Sequence, residues 1–160
     1  MSLVISYAVG TGDMFSIRHN SDNLTIIDSS LSEENRDYIT KTLKKQGETK
    51  SVHRFISTHP DLDHIMGLEH LDSEITVSNF YCVKNRATKS DETDDFKRYC
   101  QLRDGDKAFY LNKGCTRKWM NLGDATRGLS GINILWPDVD NNDYITALKN
   151  AEEGGSPNNI

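Results

Sequence analysis

Three observations predict one domain over residues 1–160, mixing strands and helices in an α/β or α+β arrangement. The chain opens on short apolar runs separated by Gly and Asn turns, the pattern of hairpins. Further on, runs of strand type alternate with stretches of helical spacing. Between them, Phe55-Ile56 reads as the end of a buried strand that empties into a turn carrying His59, Asp61, Asp63 and His64. Loops at the carboxyl ends of strands are where such proteins place their chemistry. A chain of 160 residues is long enough to bury a real core in one domain.

Residues 3–9 read as a strand, rich in β-branched side chains and including Tyr7. Gly10, Gly12 and Asp13 form a turn, and residues 14–18 alternate as a second strand. Gly10-x-Gly12 is read as a tight turn, because a phosphate cradle needs a helix directly after it. A hairpin turn over 20–23 leads to a third strand over 24–27, ended by Asp28. Ser32, Glu33 and Glu34 start a helix, with acids at its positive end. Tyr38, Ile39 and Leu43 form its apolar face. Lys41, Lys44, Lys45 and Lys50 form its solvated side, and Gly47 stops it. Residues 52–56 are the strand that delivers the loop. A short helix over 65–71 follows, with Gly67 allowing close packing, and His70 reads as a surface or packing residue.

Ile75-Thr76-Val77 and Phe80-Tyr81-Cys82-Val83 are strand candidates, and 85–95 is a polar loop or a lead-in to a helix. Phe96, Tyr99, Cys100 and Leu102 or Arg103 mark a helix closed by Gly105, and 108–111 is another strand. Residues 114–131, with Trp119-Met120 among Lys, Arg and Gly, have no period that assigns them. Residues 132–136 read as a strand ended by Pro137. Residues 143–153 read as a helix with Ile145, Leu148 and Ala151 inward, broken by Gly154-Gly155-Ser156-Pro157.

A net charge of −5 argues against a molecule whose whole surface wraps nucleic acid. No run approaches the ~18 apolar residues of a membrane span, and no basic-then-apolar signal opens the chain. Cys82, Cys100 and Cys115 are odd in number and lack paired spacing. They point to a reduced, cytoplasmic setting and away from a cysteine metal site.

The loop after Ile56 is the chemical centre. In an extended turn alternate residues point the same way, so His59, Asp61 and Asp63 are expected to converge while His64 faces away from Asp63. One loop can then feed two neighbouring metal positions. Imidazole nitrogen and carboxylate oxygen suit zinc, iron and manganese. Two such ions, roughly 3.5–4 Å apart, can clamp a phosphoryl or carbonyl group. Solvated turn residues are the bland alternative, and four ligand types within six positions weigh against it.

This stretch resembles the metallo-β-lactamase superfamily signature His-x-His-x-Asp-His, with Asp61 where the second histidine stands. His-x-Asp-x-Asp-His followed by Ile and Gly is similar to the hydrolase domain of the ComEC-like DNA-uptake proteins. Val9-Gly10-Thr11-Gly12-Asp13-Met14 resembles that family's Val-Gly-Gln-Gly-Asp opening, and Thr25-Ile26-Ile27-Asp28 its strand ending in Asp. The resemblance covers about residues 4–71. Beyond it only Ile134-Leu135-Trp136-Pro137 and Asn158-Asn159 look familiar. It implies an α+β fold, the αββα sandwich, incomplete at the C-terminus. It also implies two divalent ions, zinc or manganese, held by His59, Asp61, Asp63 and His64, with Asp28 supporting the loop from behind.

The superfamily completes its site with later ligands, yet no histidine follows His70, and Gly123-Asp124 reads as a turn more than as a bridging ligand. The chain therefore looks like the front part of the domain, or its site is completed by a partner chain. Asp61 makes the site richer in oxygen, which tilts preference from zinc towards manganese, magnesium or iron. The expected function is a metal-dependent hydrolase, a phosphodiesterase or nuclease, with Asp63 both ligand and orienter of the attacking water. The alternatives are a hydrolase of a thioester, lactam or lactone, and a non-catalytic module with an incomplete site.

Overall fold

Apolar side chains at every second position let the front of the chain pair as neighbouring strands. The computed structural model describes residues 2–20, 23–47, 53–126, 128–157 and 160. Lys50, Val52, Asn158-Asn159 and the middle of the 20–23 turn lie outside the described residues. In chain order the elements are β1 (Leu3–Ser6), β2 (Phe15–Arg18), β3 (Leu24–Ile27), β4 (Ser29–Ser30), α1 (Arg36–Gln46) and β5 (His53–Ile56). Then come α2 (Leu62–Ile65), α3 (Leu68–Ile75), β6 (Asn79–Cys82), α4 (Asp94–Asp104), β7 (Ala108–Tyr110) and α5 (Asn142–Glu152).

The strands form a six-stranded mixed sheet in the order β1-β2-β3-β5-β6-β7. The first two pairings are antiparallel and the remaining three parallel. This mixed architecture of one sheet and five helices is compatible with the α+β class. Each parallel step moves the same way across the sheet, and crossovers of one hand stack their helices on one face. The main core follows from that: Leu24, Ile26, Phe55, Phe80 and Cys82 meet Ile39 and Leu43 of α1, Leu68 and Leu71 of α3, and Phe96, Tyr99 and Leu102 of α4. Phe80 stacks on Phe55 and meets the edge of Tyr99, each with ring centres 5.6 Å apart. The opposite face carries a smaller core of Ile56, Tyr81, Leu111 and Met120, covered by irregular chain that includes Ile132 and Ile134. Among the described residues the strands make one β-layer, where the expected sandwich has two.

Several element expectations are corrected. Ile75 ends α3, and Thr76 leaves it at φ +58°, so 75–77 is a helix end and not a strand. Residues 132–136 form no strand. Their alternation is real, with Ile132 and Ile134 packed inward and Leu135 82% exposed. The backbone, however, joins no strand ladder: Ile132 N–H donates to Met120 O, and Lys113 and Gly114 N–H donate to Pro137 O and Ile134 O. Alternation records one-sided burial, whereas a strand also needs a partner ladder. Tyr38 is 74% exposed because the buried stripe of α1 runs through Ile39, Thr40 and Leu43. In α5 the inward stripe is Tyr144, Ala147, Leu148 and Ala151, which leaves Ile145 half exposed beside it. The helix foreseen over 65–71 is two pieces, α2 and α3, broken at Gly67 with φ +74°. There Asp95 of α4 accepts from the Gly67 and Glu69 N–H groups and so caps α3. No helix among the described residues is long and apolar enough to cross a membrane.

Candidate metal centre

The loop is held from below by the end of β3. Asp28 sits at φ +54°, in the left-handed region that Asp tolerates better than most residues. Its N–H donates to Ile56 O at 2.9 Å, continuing the β3–β5 pairing. Its carboxylate, 1% exposed as a residue, accepts from Thr58 N–H at 2.8 Å and from the Thr58 hydroxyl at 2.6 Å. His64 Nδ1 lies 2.9 Å from the same carboxylate. Burial pushes the Asp28 pKa upward, and donation from Thr58 and His64 opposes it. A carboxylate on Nδ1 holds the proton there and leaves Nε2 as the lone-pair nitrogen, the form in which histidine binds a metal.

The loop is clipped from two further sides. Ser29 and Ser30 bridge Ile65 and Met66, and the Ser29 hydroxyl and the Leu31 N–H both donate to Met66 O. On the other side the Gly12 backbone, at φ +91°, touches Asp63, where an added Cβ would lie 2.1 Å from the Asp63 carbonyl oxygen.

Within the loop the backbone departs from the extended turn expected from the sequence. Asp61 is extended (φ −72°, ψ 152°), but Leu62–Ile65 closes a helical turn. Successive side chains there step by about 100° and not 180°. The alternation argument therefore fails for Asp63 and His64, and the pairing changes. His59 Nε2 lies 3.8 Å from Asp61 Oδ2, and His64 Nε2 lies 3.9 Å from Asp63 Oδ2. His64 faces Asp63 instead of turning away. The two imidazoles sit with centres 4.0 Å apart, which draws the two pairs together. His59 Nδ1 is 3.0 Å from the Thr58 hydroxyl, so its Nε2 also faces the carboxylates. Burial lowers the His59 pKa, with His64 acting in the same direction.

Two neighbours of Asp61 were not visible in the sequence. Lys89 Nζ lies 3.4 Å from one carboxylate oxygen, and the Ser156 hydroxyl donates to the other at 3.4 Å. Both come from distant polar loops without any motif. Asp124 is a turn residue, accepting from Thr126 and Trp119 and paired with Lys118 at 3.3 Å. His70 lies on α3, and its Nε2 is buried with no hydrogen-bond partner among the described residues. Beside the loop a cleft of about 1110 Å³ opens between Ile56–His59 and α5. Its wall is mainly apolar, with Leu135, Trp136 and Ala147. Asp143 and Asn150 add polar groups, and among the described residues no Lys or Arg lines it.

Among the described residues, no three His, Cys, Asp or Glu side chains are grouped so that they could hold one metal ion. The loop offers instead two His–carboxylate pairs with both Nε2 atoms turned to oxygen. Those donors suit a divalent cation, and a hard cation commonly fills its remaining positions with water and substrate oxygens. No protein-family model matches the chain, and no curated protein matches it.

Proposed function

We propose that the chain is a metal-dependent hydrolase of the metallo-β-lactamase kind that cleaves phosphodiester bonds. His59, Asp61, Asp63 and His64 are the ligands, and Asp63, with its side chain half exposed, also orients the attacking water. The observation that supports this reading is the contact of buried Asp28 with His64 Nδ1 at 2.9 Å. A buried carboxylate behind a histidine, with a second carboxylate in front of Nε2, is the arrangement of a metal-ligating imidazole. Zinc or manganese bound there, as one ion or two, would lower the pKa of a coordinated water towards ~7. Thr58 fixes Asp28, Asp28 fixes His64, and Gly12 fixes the backbone of Asp63, so the chain itself supplies the orientation. Two protein donors per pair leave positions that phosphate oxygens can fill, which favours a phosphoryl substrate.

A second reading has its own observation. The cleft beside His59 is mainly apolar and, among the described residues, has no cationic side chain, which suits the acyl part of a thioester or lactone better than a polyanion. Turnover of a chromogenic phosphodiester compared with a thioester, on metal-stripped protein reloaded with manganese or zinc, separates the two. Asp63→Ala is expected to abolish turnover and lower bound manganese while the circular dichroism stays unchanged. Manganese is expected to support more activity than zinc, given the two carboxylates. Undiminished turnover in Asp63→Ala would sink the assignment.

A further inference from the structure

On the sheet face turned away from α1, α3 and α4, Arg54 of β5 lies beside Thr25 of β3 and diagonally across from Tyr81 of β6. Arg54 and Arg117 converge on one aromatic floor. The Arg54 guanidinium is 5.5 Å from the Tyr81 ring centre, and that of Arg117 is 3.5 Å from the centre of Phe109. Lys118 and Trp119 complete the rim of a 350 Å³ pocket. A second hollow of 250 Å³ shares Arg54 and Trp119 with it. The first volume falls within the range that small ligands occupy, about 300–1,000 Å³, and the second lies just below it. Among the described residues no Asp or Glu lines either hollow.

Lys118 is paired with Asp124 at 3.3 Å, but among the described residues the two arginines lack carboxylate partners. Among the described residues Arg117 makes no side-chain hydrogen bond or ion pair, and its Nε is buried. Among the described residues Arg54 bonds two hydroxyls, of Thr25 and Ser130, each at 3.3 Å. A guanidinium held without an acceptor is costly, and an anion on its outer nitrogens would offset that. Stacking on Phe109 leaves the in-plane donors of Arg117 for two oxygens of one phosphate. Trp119, 40% exposed, stands at the mouth with the Lys118 ammonium 5.1 Å from its ring centre, so a cation and an aromatic ring sit together there.

We propose that this pocket binds a nucleoside monophosphate, with the phosphate on Arg54 and Arg117 and the base against Trp119. The site is separate from the metal loop and does not depend on the hydrolase reading. Calorimetry in EDTA, so that no metal bridges the ligand, compares adenosine 5′-monophosphate, adenosine and inorganic phosphate. The monophosphate is expected to bind about ten-fold more tightly than either part, since a charged hydrogen bond and a stacked base each contribute on that order. Arg117→Gln is expected to weaken it about ten-fold. Lys118→Gln, at an exposed position that cannot unfold the chain, is expected to weaken it a few-fold, and Asp63→Ala is expected to leave it unchanged. No heat with the monophosphate, phosphate alone binding as tightly, or wild-type affinity in both Arg117→Gln and Lys118→Gln would overturn the proposal.

Discussion

At Gly12 the chain comes closer to the candidate centre than its place in the sequence suggests. Gly10 and Gly12 both hold positive φ, +84° and +91°, but only Gly12 has a neighbour, the carbonyl of Asp63. Gly10→Ala is therefore expected to cost only the left-handed backbone term, about 1–2 kcal/mol. Gly12→Ala adds a collision with backbone, and its loss should exceed that of Gly10→Ala by about 1–3 kcal/mol. Urea unfolding of both variants measures the difference, and equal midpoints would show that the loop yields without cost. The turn itself was legible, because Gly-x-Gly after a strand signals positive φ. Its contact with Asp63 was not, since nothing local encodes an approach from so far along the chain. The same limit applies to Lys89 and Ser156 beside Asp61. Asp28 could be named as a support only through resemblance, and the structure gives the reason in its three accepted hydrogen bonds.

Helices with side-chain caps were the most legible elements. Thr93 accepts from Phe96 N–H at the start of α4, and Asn141 accepts from Asp143 and Tyr144 N–H at the start of α5. Each marks its boundary within a residue or two of where apolar spacing places it. The break between α2 and α3 was missed, because it depends on Met66 pairing with β4 and on Gly67 packing against Leu31. The α3–α4 contact has its own polar fastening. Asp72, buried on α3, accepts from the Val77 N–H beyond its helix end and from the Arg98 guanidinium of α4. Removing that carboxylate strands a backbone donor and a half-buried cation. Asp72→Ala is expected to destabilise the fold by about 2–4 kcal/mol, and Arg98→Ala by less. Thermal unfolding of the two variants gives the order, and the reverse order would mean that the Val77 contact contributes little.

For the whole molecule, sequence patterning was enough for hairpins at the start followed by alternating strands and helices, and the structure shows the alternation of the strands as a two-faced sheet. Leu24 and Ile26 alternate with Thr25, and Phe80 and Cys82 with Tyr81, in register with Phe55. Strand order and the absence of a second β-layer among the described residues are products of long-range pairing, which no local pattern carries. The far face also holds a titrating group that bears on global stability. His19, 7% exposed, is 2.8 Å from the Thr25 hydroxyl, and burial together with the Arg54 cation lowers its pKa. A histidine depressed in the folded state takes up its proton more readily when unfolded, near pH 6.5. Its penalty is thus absent above that pH and grows as pH falls towards the lower folded value. The stability gap between wild type and His19→Gln is expected to move in favour of the variant from pH 7.5 to pH 5. A gap that does not change with pH would show that His19 titrates normally.

The amide hydrogen of Thr58 is donated to a buried carboxylate that belongs to another strand's end. Exchange of that hydrogen requires the Asp28 contact to break, which separation of β3 and β5 at their carboxyl ends would bring about. Hydrogen–deuterium exchange at Thr58 is therefore expected to be as slow as at Ile56 inside the sheet, although Thr58 stands in a loop. The candidate centre would then have no opening of its own and would lose its shape only when the middle of the sheet does. Exchange at Thr58 as fast as at exposed Asp91 would mean that the loop breathes separately from the strands that carry it.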